Sequence, residues 1–237
     1  MNAHATRCGT CAIRHKAVCD GLTDQELQKL NRIAHRKIVP AGRGIIDESA
    51  DAEIYGNILS GVVKLTKSIS DGRQHIVGLL FPPDFLGRAF RADNPYFAQA
   101  ATDVELCVFS AKGFEALLAE HPGLEHRLLQ YTLGKLDAAQ EWMLLLARKS
   151  AEERVASFLL MIARRVPQIG CGAAGSHGVR FHLPLARADI ADCLGLTLET
   201  VSRHMTKLKT RGVIELRSAR EIEVPDMNAL EAAVGGA

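Results

Sequence analysis

The sequence predicts an α+β protein: an N-terminal antiparallel β-roll, one long helix and a C-terminal winged helix-turn-helix. Three observations predict it. From about 38 to 110 the chain runs in short apolar segments broken by glycine, proline and aspartate, the rhythm of strands and turns. Residues 123–147 carry apolar residues spaced by three and four without interruption. Residues 187–210 hold two helical patterns around one tight connection, Gly195-Leu196-Thr197. The organisation expected is an arm at 1–21, a roll at 22–122, a long helix at 123–149 and a compact C-terminal domain at 150–237.

In chain order, the arm MNAHATRCGTC…C is short, basic and rich in cysteine. The segment LTDQELQKLNRIAHRKIV has Leu22, Leu27, Leu30 and Ile33 at helical spacing, with Thr23 placed to cap the start. In the roll, Asp71-Gly72 separates Val62–Ile69 from Arg73–Leu80, a hairpin signal. Pro82-Pro83 ends a strand, and Ala101–Ser110 reads as the last one. Phe114, Leu117 and Leu118 begin a helix that stops near His121-Pro122. The long helix follows. Leu129, Thr132, Leu136, Ala139 and Met143 make a seam of about two heptads, suited to a second subunit or to an intrachain core. Leu128, Leu133, Leu144 and Leu145 add apolar surface. Val155, Phe158, Leu159 and Ile162 share one face of a further helix, and a Gly- and Ala-rich loop holding Cys171 follows it. The two helices of the helix-turn-helix span about Arg187–Leu194 and Leu198–Thr210. Thr197 caps the second, Gly212 ends it, and a β-rich wing surrounds Ser218.

Composition narrows the function classes. With 237 residues, 47% hydrophobic and 24% charged, the chain builds its own core without disulfides or metal. A net charge of +2 excludes a basic coat but not a local basic patch. Aromatics at 5% argue against stacking platforms for single strands. The start of the chain has no apolar signal region, and no stretch approaches about 18 apolar residues. A cytoplasmic protein with no membrane partner is expected. The histidines form no H-x3-H pair or triad, and there is no Walker or dinucleotide-type glycine loop, so no enzyme centre emerges. The turn Phe85-Leu86-Gly87-Arg88-Ala89-Phe90 lacks the ordered cation and carboxylate that a cyclic nucleotide needs, and no such ligand is expected.

Two places carry chemistry. Residues 203–220 hold Arg203, Lys207, Lys209, Arg211, Arg217 and Arg220 against the single acid Glu215, a net +5 where a duplex would sit. Glu199, Ser202 and Arg203 lie at i, i+3 and i+4 in the first turns of the second helix, the end that enters the major groove in this motif. Arg203 can donate twice to guanine, Glu199 can accept from cytosine N4, and Ser202 can touch a base edge. Lys207, Lys209 and Arg217 read as phosphate contacts.

The second place is Cys8-x2-Cys11-x7-Cys19, three soft ligands in a short arm. Alternation in VELCVF puts Val104, Leu106 and Val108 on one face and Glu105, Cys107 and Phe109 on the other. If the first face fills the roll, Cys107 points outward within reach of the arm. An iron–sulfur cluster on four thiolates is one reading. Zinc is another, with His4 or His15 completing a Cys3His set. A dithiol switch at Cys8-Gly9-Thr10-Cys11 is a third. Cys193, inside the first helix of the helix-turn-helix, reads as a packed core thiol.

Through RCGTCAIRHKAVC, DGRQHIVGLLFPPDFLGR, EWMLLLARKSAEERVASFL and LGLTLETVSR, nearly the whole chain resembles the FNR branch of the CRP/FNR transcription regulator superfamily, and especially its FnrL-type oxygen-sensing regulators. The resemblance implies a jelly roll of the cyclic-nucleotide-binding kind. It implies a 4Fe-4S cluster on Cys8, Cys11, Cys19 and Cys107, a homodimer in the cluster-bound state, and palindromic double-stranded sites of the form TTGAT-N4-ATCAA. It implies Glu199, Ser202 and Arg203 as the base-reading trio, RNA polymerase as a partner, and loss of DNA binding when oxygen degrades the cluster. The arm departs from the enterobacterial pattern in its wider second gap and in Thr10, where that pattern has an acid.

Overall fold

A computed structural model describes residues 8–70, 72, 74–166 and 178–235. His4, Asp71, Arg73 and Cys171 lie outside them. The chain divides into two compact units, 1–138 and 139–237.

In the first unit, residues 8–22 form turns and two short 3-10 segments at Arg14–Lys16 and Val18–Gly21. Helix α1 (Asp24–Ile33) starts at a capping box: Thr23 Oγ1 accepts from Glu26 N at 3.4 Å, and Glu26 Oε2 accepts from Thr23 N at 2.7 Å. The helix ends sooner than its apolar spacing suggests. Ala34–Val39 is strand β1, because these residues pair with the last strand of the roll, His35 against Val108 and Lys37 against Leu106. The roll continues with β2 (Gly44–Ile46), β3 (Ile54–Ser60), β4 (Val63–Ser68), β5 (Gln74–Leu80), β6 (Phe85–Leu86), β7 (Phe97–Ala100) and β8 (Val104–Ser110). They form two antiparallel four-stranded sheets, ordered β1-β8-β3-β6 and β2-β7-β4-β5. The expected hairpin is β4–β5, with Gly72 at φ +84° in its turn. Helix α2 (Ala111–Glu120) follows β8 directly.

Two cores result, on opposite faces of β8. Val104, Leu106 and Val108 point into the roll with Ile58, Val63, Leu80 and Ala98. Phe109 points the other way, stacked on Phe114 of α2 at 5.3 Å, in a core shared with Ala17 and Val18 of the arm, with Leu22, and with Leu27 and Leu30 of α1.

Helix α3 (Pro122–Arg148) runs from the first unit into the second. Its start packs on the outer core through Leu124, Leu128 and Tyr131. Tyr131 Oη accepts from Phe85 N at 2.9 Å, and Lys135 pairs with Asp84 at 2.7 Å. Leu129, Thr132, Leu136, Ala139 and Met143 are all exposed, Leu129 at 54%, Leu136 at 53% and Met143 at 68%. Leu133 and Leu144 are exposed too, and Leu145 is buried in the second unit. The seam is therefore not used by this chain's own core.

In the second unit, α4 (Ala151–Arg165) starts at a capping box of Ser150 and Glu153 and buries Val155, Phe158, Leu159 and Ile162. Strand β9 (Val179–His182) precedes α5 (Arg187–Leu194) and α6 (Leu198–Thr210). The bounds of α5 and α6 match the sequence reading. Gly195 sits at φ +60°, a left-handed cap that lets the chain reverse between them. Strands β10 (Glu215–Leu216) and β11 (Glu221–Val224) complete a wing ordered β10-β11-β9, and α7 (Met227–Ala233) closes the unit on α4. Neither β9 nor α7 was expected from the sequence.

Candidate cofactor site and DNA-reading surface

The arm is held to its own unit by polar contacts at both ends of its last turns. Arg14 donates to Leu22 O at 3.5 Å and lies 3.6 Å from Asp24, and Asp20 pairs with Arg127 of α3 at 3.0 Å. Between these anchors the backbone turns at Cys8–Cys11 and again at Ala17–Leu22. Cys8, Cys11 and Cys19 thereby reach the outer face of β8, and with Cys107 they border one cavity. Its other walls include Ile13, Leu30, Asn31, Asn57 and Phe109. Among the described residues, Cys8, Cys11, Cys19, Cys107 and Cys193 form no disulfide. Cys193 is buried in the helix-turn-helix, as expected of a packing residue.

Burial, reinforced by the neighbouring cysteines, pushes the Cys19 thiol up to about 11 and the Cys107 thiol up to about 12. In the metal-free chain both are protonated at neutral pH, so a metal centre would form with release of protons. Arg36, which lies opposite Cys107 on β1, pairs with Glu105 at 2.8 Å. Among the described residues no group of three or more His, Cys, Asp or Glu stands ready for a single metal ion. The residues bordering this cavity offer four sulfurs and the imidazole of His35 but no carboxylate, the soft ligation of iron–sulfur and zinc sites. His15 is exposed and does not border the cavity. The four cysteines fit a thiolate-held group on their own.

The second site is the outer face of α6. Thr197 Oγ1 accepts from Thr200 N at 3.2 Å and caps the helix. Val201, Met205 and Leu208 are buried, which turns Glu199 and Arg203 outward to full exposure with Ser202 half-buried beside them. Backbone and Thr197 hydrogen bonds at the helix start hold the Glu199 carboxyl below its ordinary range. It is ionised at neutral pH and can only accept, as a cytosine amine requires.

The basic window is less bare than the sequence suggests. Glu152 of α4 pairs with both Lys207 and Arg211, the latter at 2.5 Å, and Lys207 holds the Glu152 carboxyl below its usual range. Arg217 pairs with Glu215 at 2.7 Å and Glu223 at 2.9 Å. Lys209 is exposed, with no ion-pair partner among the described residues. Lys209→Ala is expected to weaken specific and random duplexes alike and to lower the salt slope by about 1 per reading domain. Titration of log Kobs against log salt checks this, and an unchanged slope would remove Lys209 from the phosphate set. No sequence signal marks Glu152, because it lies 55 residues from Lys207.

A β-roll with an exposed-seam helix and a capped, winged helix-turn-helix defines a DNA-binding transcription regulator, not an enzyme. Comparison with known proteins agrees. Residues 153–233 match the Crp-like helix-turn-helix domain, and residues 36–121 match the cyclic nucleotide-binding domain. The chain is 48% identical to a "Probable transcriptional activator" of Rhizobium leguminosarum bv. viciae, over 94% of this chain and 91% of that protein. It is 43% identical to the transcriptional activator protein FnrL of Cereibacter sphaeroides, over 94% and 90% of the two chains. The crystal structure of FixK2 from Bradyrhizobium japonicum superposes with a TM-score of 0.76 at 33% identity, over 86% of this chain and 99% of that one.

The chain belongs to the CRP/FNR family and is a transcriptional activator of the FNR/FixK type. Among the described residues no helix is long and apolar enough to cross a membrane.

Proposed function

We propose that this chain is an oxygen-responsive regulator in which Cys8, Cys11, Cys19 and Cys107 hold a 4Fe-4S cluster. With the cluster bound, it forms a homodimer, reads palindromic TTGAT-N4-ATCAA-like DNA and engages RNA polymerase. Oxidation reverses this state. The observation that carries the reading is the cavity bordered by all four thiols, three from the arm and one from the outward face of β8. A lone zinc ion would have to draw its sulfurs to within about 4 Å of one another. A cubane with iron at four corners takes ligands spread around a cavity.

The cluster supplies a bond network that oxygen destroys. The rest belongs to the chain. Ala17 and Val18 share a core with Leu124 and Leu128 at the start of α3, and Asp20 meets Arg127 there. Ordering the arm therefore favours one packing of α3 and with it the exposed seam Leu129–Thr132–Leu136–Ala139–Met143. A dimer on that seam presents two α6 helices about one DNA turn apart. The second half-site then gains effective concentration, worth roughly 10²–10⁴ in avidity.

Purification without oxygen is expected to give coloured protein with iron and acid-labile sulfide, dimeric and tight on the palindrome. Air should bleach it and lower both dimer fraction and affinity. Colourless protein with one zinc would replace this reading with a structural zinc arm and a small-molecule signal in the roll. Equal affinity for specific and scrambled duplex would make it a packaging protein.

A further inference from the structure

Two side-chain amides on the cavity wall carry buried oxygens that the four-cysteine reading leaves unused. Asn57 on β3 is 2% exposed, and its Oδ1 is buried with no hydrogen-bond partner among the described residues. Asn31, in the last turn of α1, has a buried Oδ1 in the same condition. Both side chains border the cavity that the thiols border. The strand register fixes the relation further. Asn57 is the cross-strand partner of Cys107, so the two side chains leave the sheet on the same face as near neighbours.

A buried amide without a partner destabilises a fold, and such groups are rare where nothing is bound. Two of them on the walls of one small cavity, beside four thiols, require an explanation in what the cavity receives. A half-turn of a terminal amide exchanges its oxygen for its NH2, an acceptor for two donors. Thiolate and sulfide sulfurs are acceptors, and besides the apolar Ile13, Leu30 and Phe109 the cavity wall offers them His35 and Arg36, to which the two amides would add donors on the Asn57 and Asn31 sides.

We propose that Asn57 and Asn31 are positioning residues that donate N–H···S hydrogen bonds to the sulfurs of the group held by Cys8, Cys11, Cys19 and Cys107. This rests on the cluster reading above and extends it: the amides decide how long the cluster is retained. Hydrogen bonds to sulfur are among the terms that set cluster properties, and loss of an outer partner of this kind typically costs about 10–100-fold in metal affinity or activity.

The test uses the full-length protein and its Asn57→Leu variant, which keeps the branched outline and the number of side-chain heavy atoms and removes both polar ends. After anaerobic reconstitution the variant should reach the same iron and sulfide content. Its visible absorbance should then decay about tenfold faster under excess iron chelator without oxygen. The shift of its Fe–S(Cys) stretching bands on deuterium exchange should shrink. Its metal-free form should melt about 2–4 °C higher, because an orphaned amide has been replaced by an apolar group. That opposite sign separates a donor from a merely structural residue, whose loss lowers both. If Asn57→Leu does not fold, Asn31→Leu on the half-exposed end of α1 carries the same readouts. A loaded variant with unchanged chelator half-life and deuterium shift overturns the donor role alone. Wild-type protein that takes up zinc and no sulfide overturns the cluster reading and this proposal together.

Discussion

Cys107→Ala is expected to give a folded protein that retains no stable cluster, stays largely monomeric and binds the palindrome about 10²–10⁴ times more weakly. Folding survives because the inward neighbours Leu106 and Val108 fill the roll core unchanged. Cys107 itself lies half-buried on the other face. Removing one of the four proposed ligands would leave the three arm cysteines with no ligating partner on the sheet. The arm then opens as a short segment whose aliphatic contribution to the outer core is Ile13, Ala17 and Val18. Iron and sulfide per chain, sedimentation, and duplex affinity under anaerobic conditions measure the three losses. A variant that keeps wild-type iron and wild-type affinity would take Cys107 out of the site.

Arg203→Ala is expected to cost about 1–3 kcal/mol at each half-site, hence roughly 2–6 kcal/mol on a palindrome read twice. The side chain is exposed on the face of α6 opposite Val201 and Met205, so its loss leaves the helix packed. Glu199, one turn earlier, remains an ionised acceptor. The discrimination between specific and random duplex should therefore fall, while random binding changes little. Binding isotherms on both duplexes at one salt concentration decide it. An equal loss on the two would assign Arg203 to the phosphates.

How much of this was legible in the sequence depended on how local its cause was. The reading helices were legible to the residue, because Thr197, Gly195 and the Val201–Met205–Leu208 spacing are local instructions that the fold obeys. The outward turn of Cys107 followed from strand alternation alone, and the fold keeps that alternation. Strand β1 was hidden because its residues continue the apolar spacing of α1, and pairing with β8 overrides that spacing. Helix α7 was hidden because a short segment is helical only once Leu230 is buried. Asn57 means little in sequence. Its role comes from standing opposite Cys107 across two strands 50 residues apart. Glu152 was invisible for the same reason, and it changes the electrostatics. With Arg217 held by Glu215 and Glu223, three of the six cations in the basic window already have a carboxylate, so fewer counterions are released on DNA than a count of lysines and arginines would give.

Strand β8 has one face on each core, and that has a consequence for reversibility. Among the described residues, the roll interior contains none from the arm, and the buried arm residues lie in the outer core. Releasing the arm therefore gives up a small apolar surface and leaves the barrel that carries it intact. Such local opening lies far below the free energy of global unfolding. On the proposed cluster reading, the site would be emptied and refilled many times over, as a slate is wiped, without any copy having to fold again.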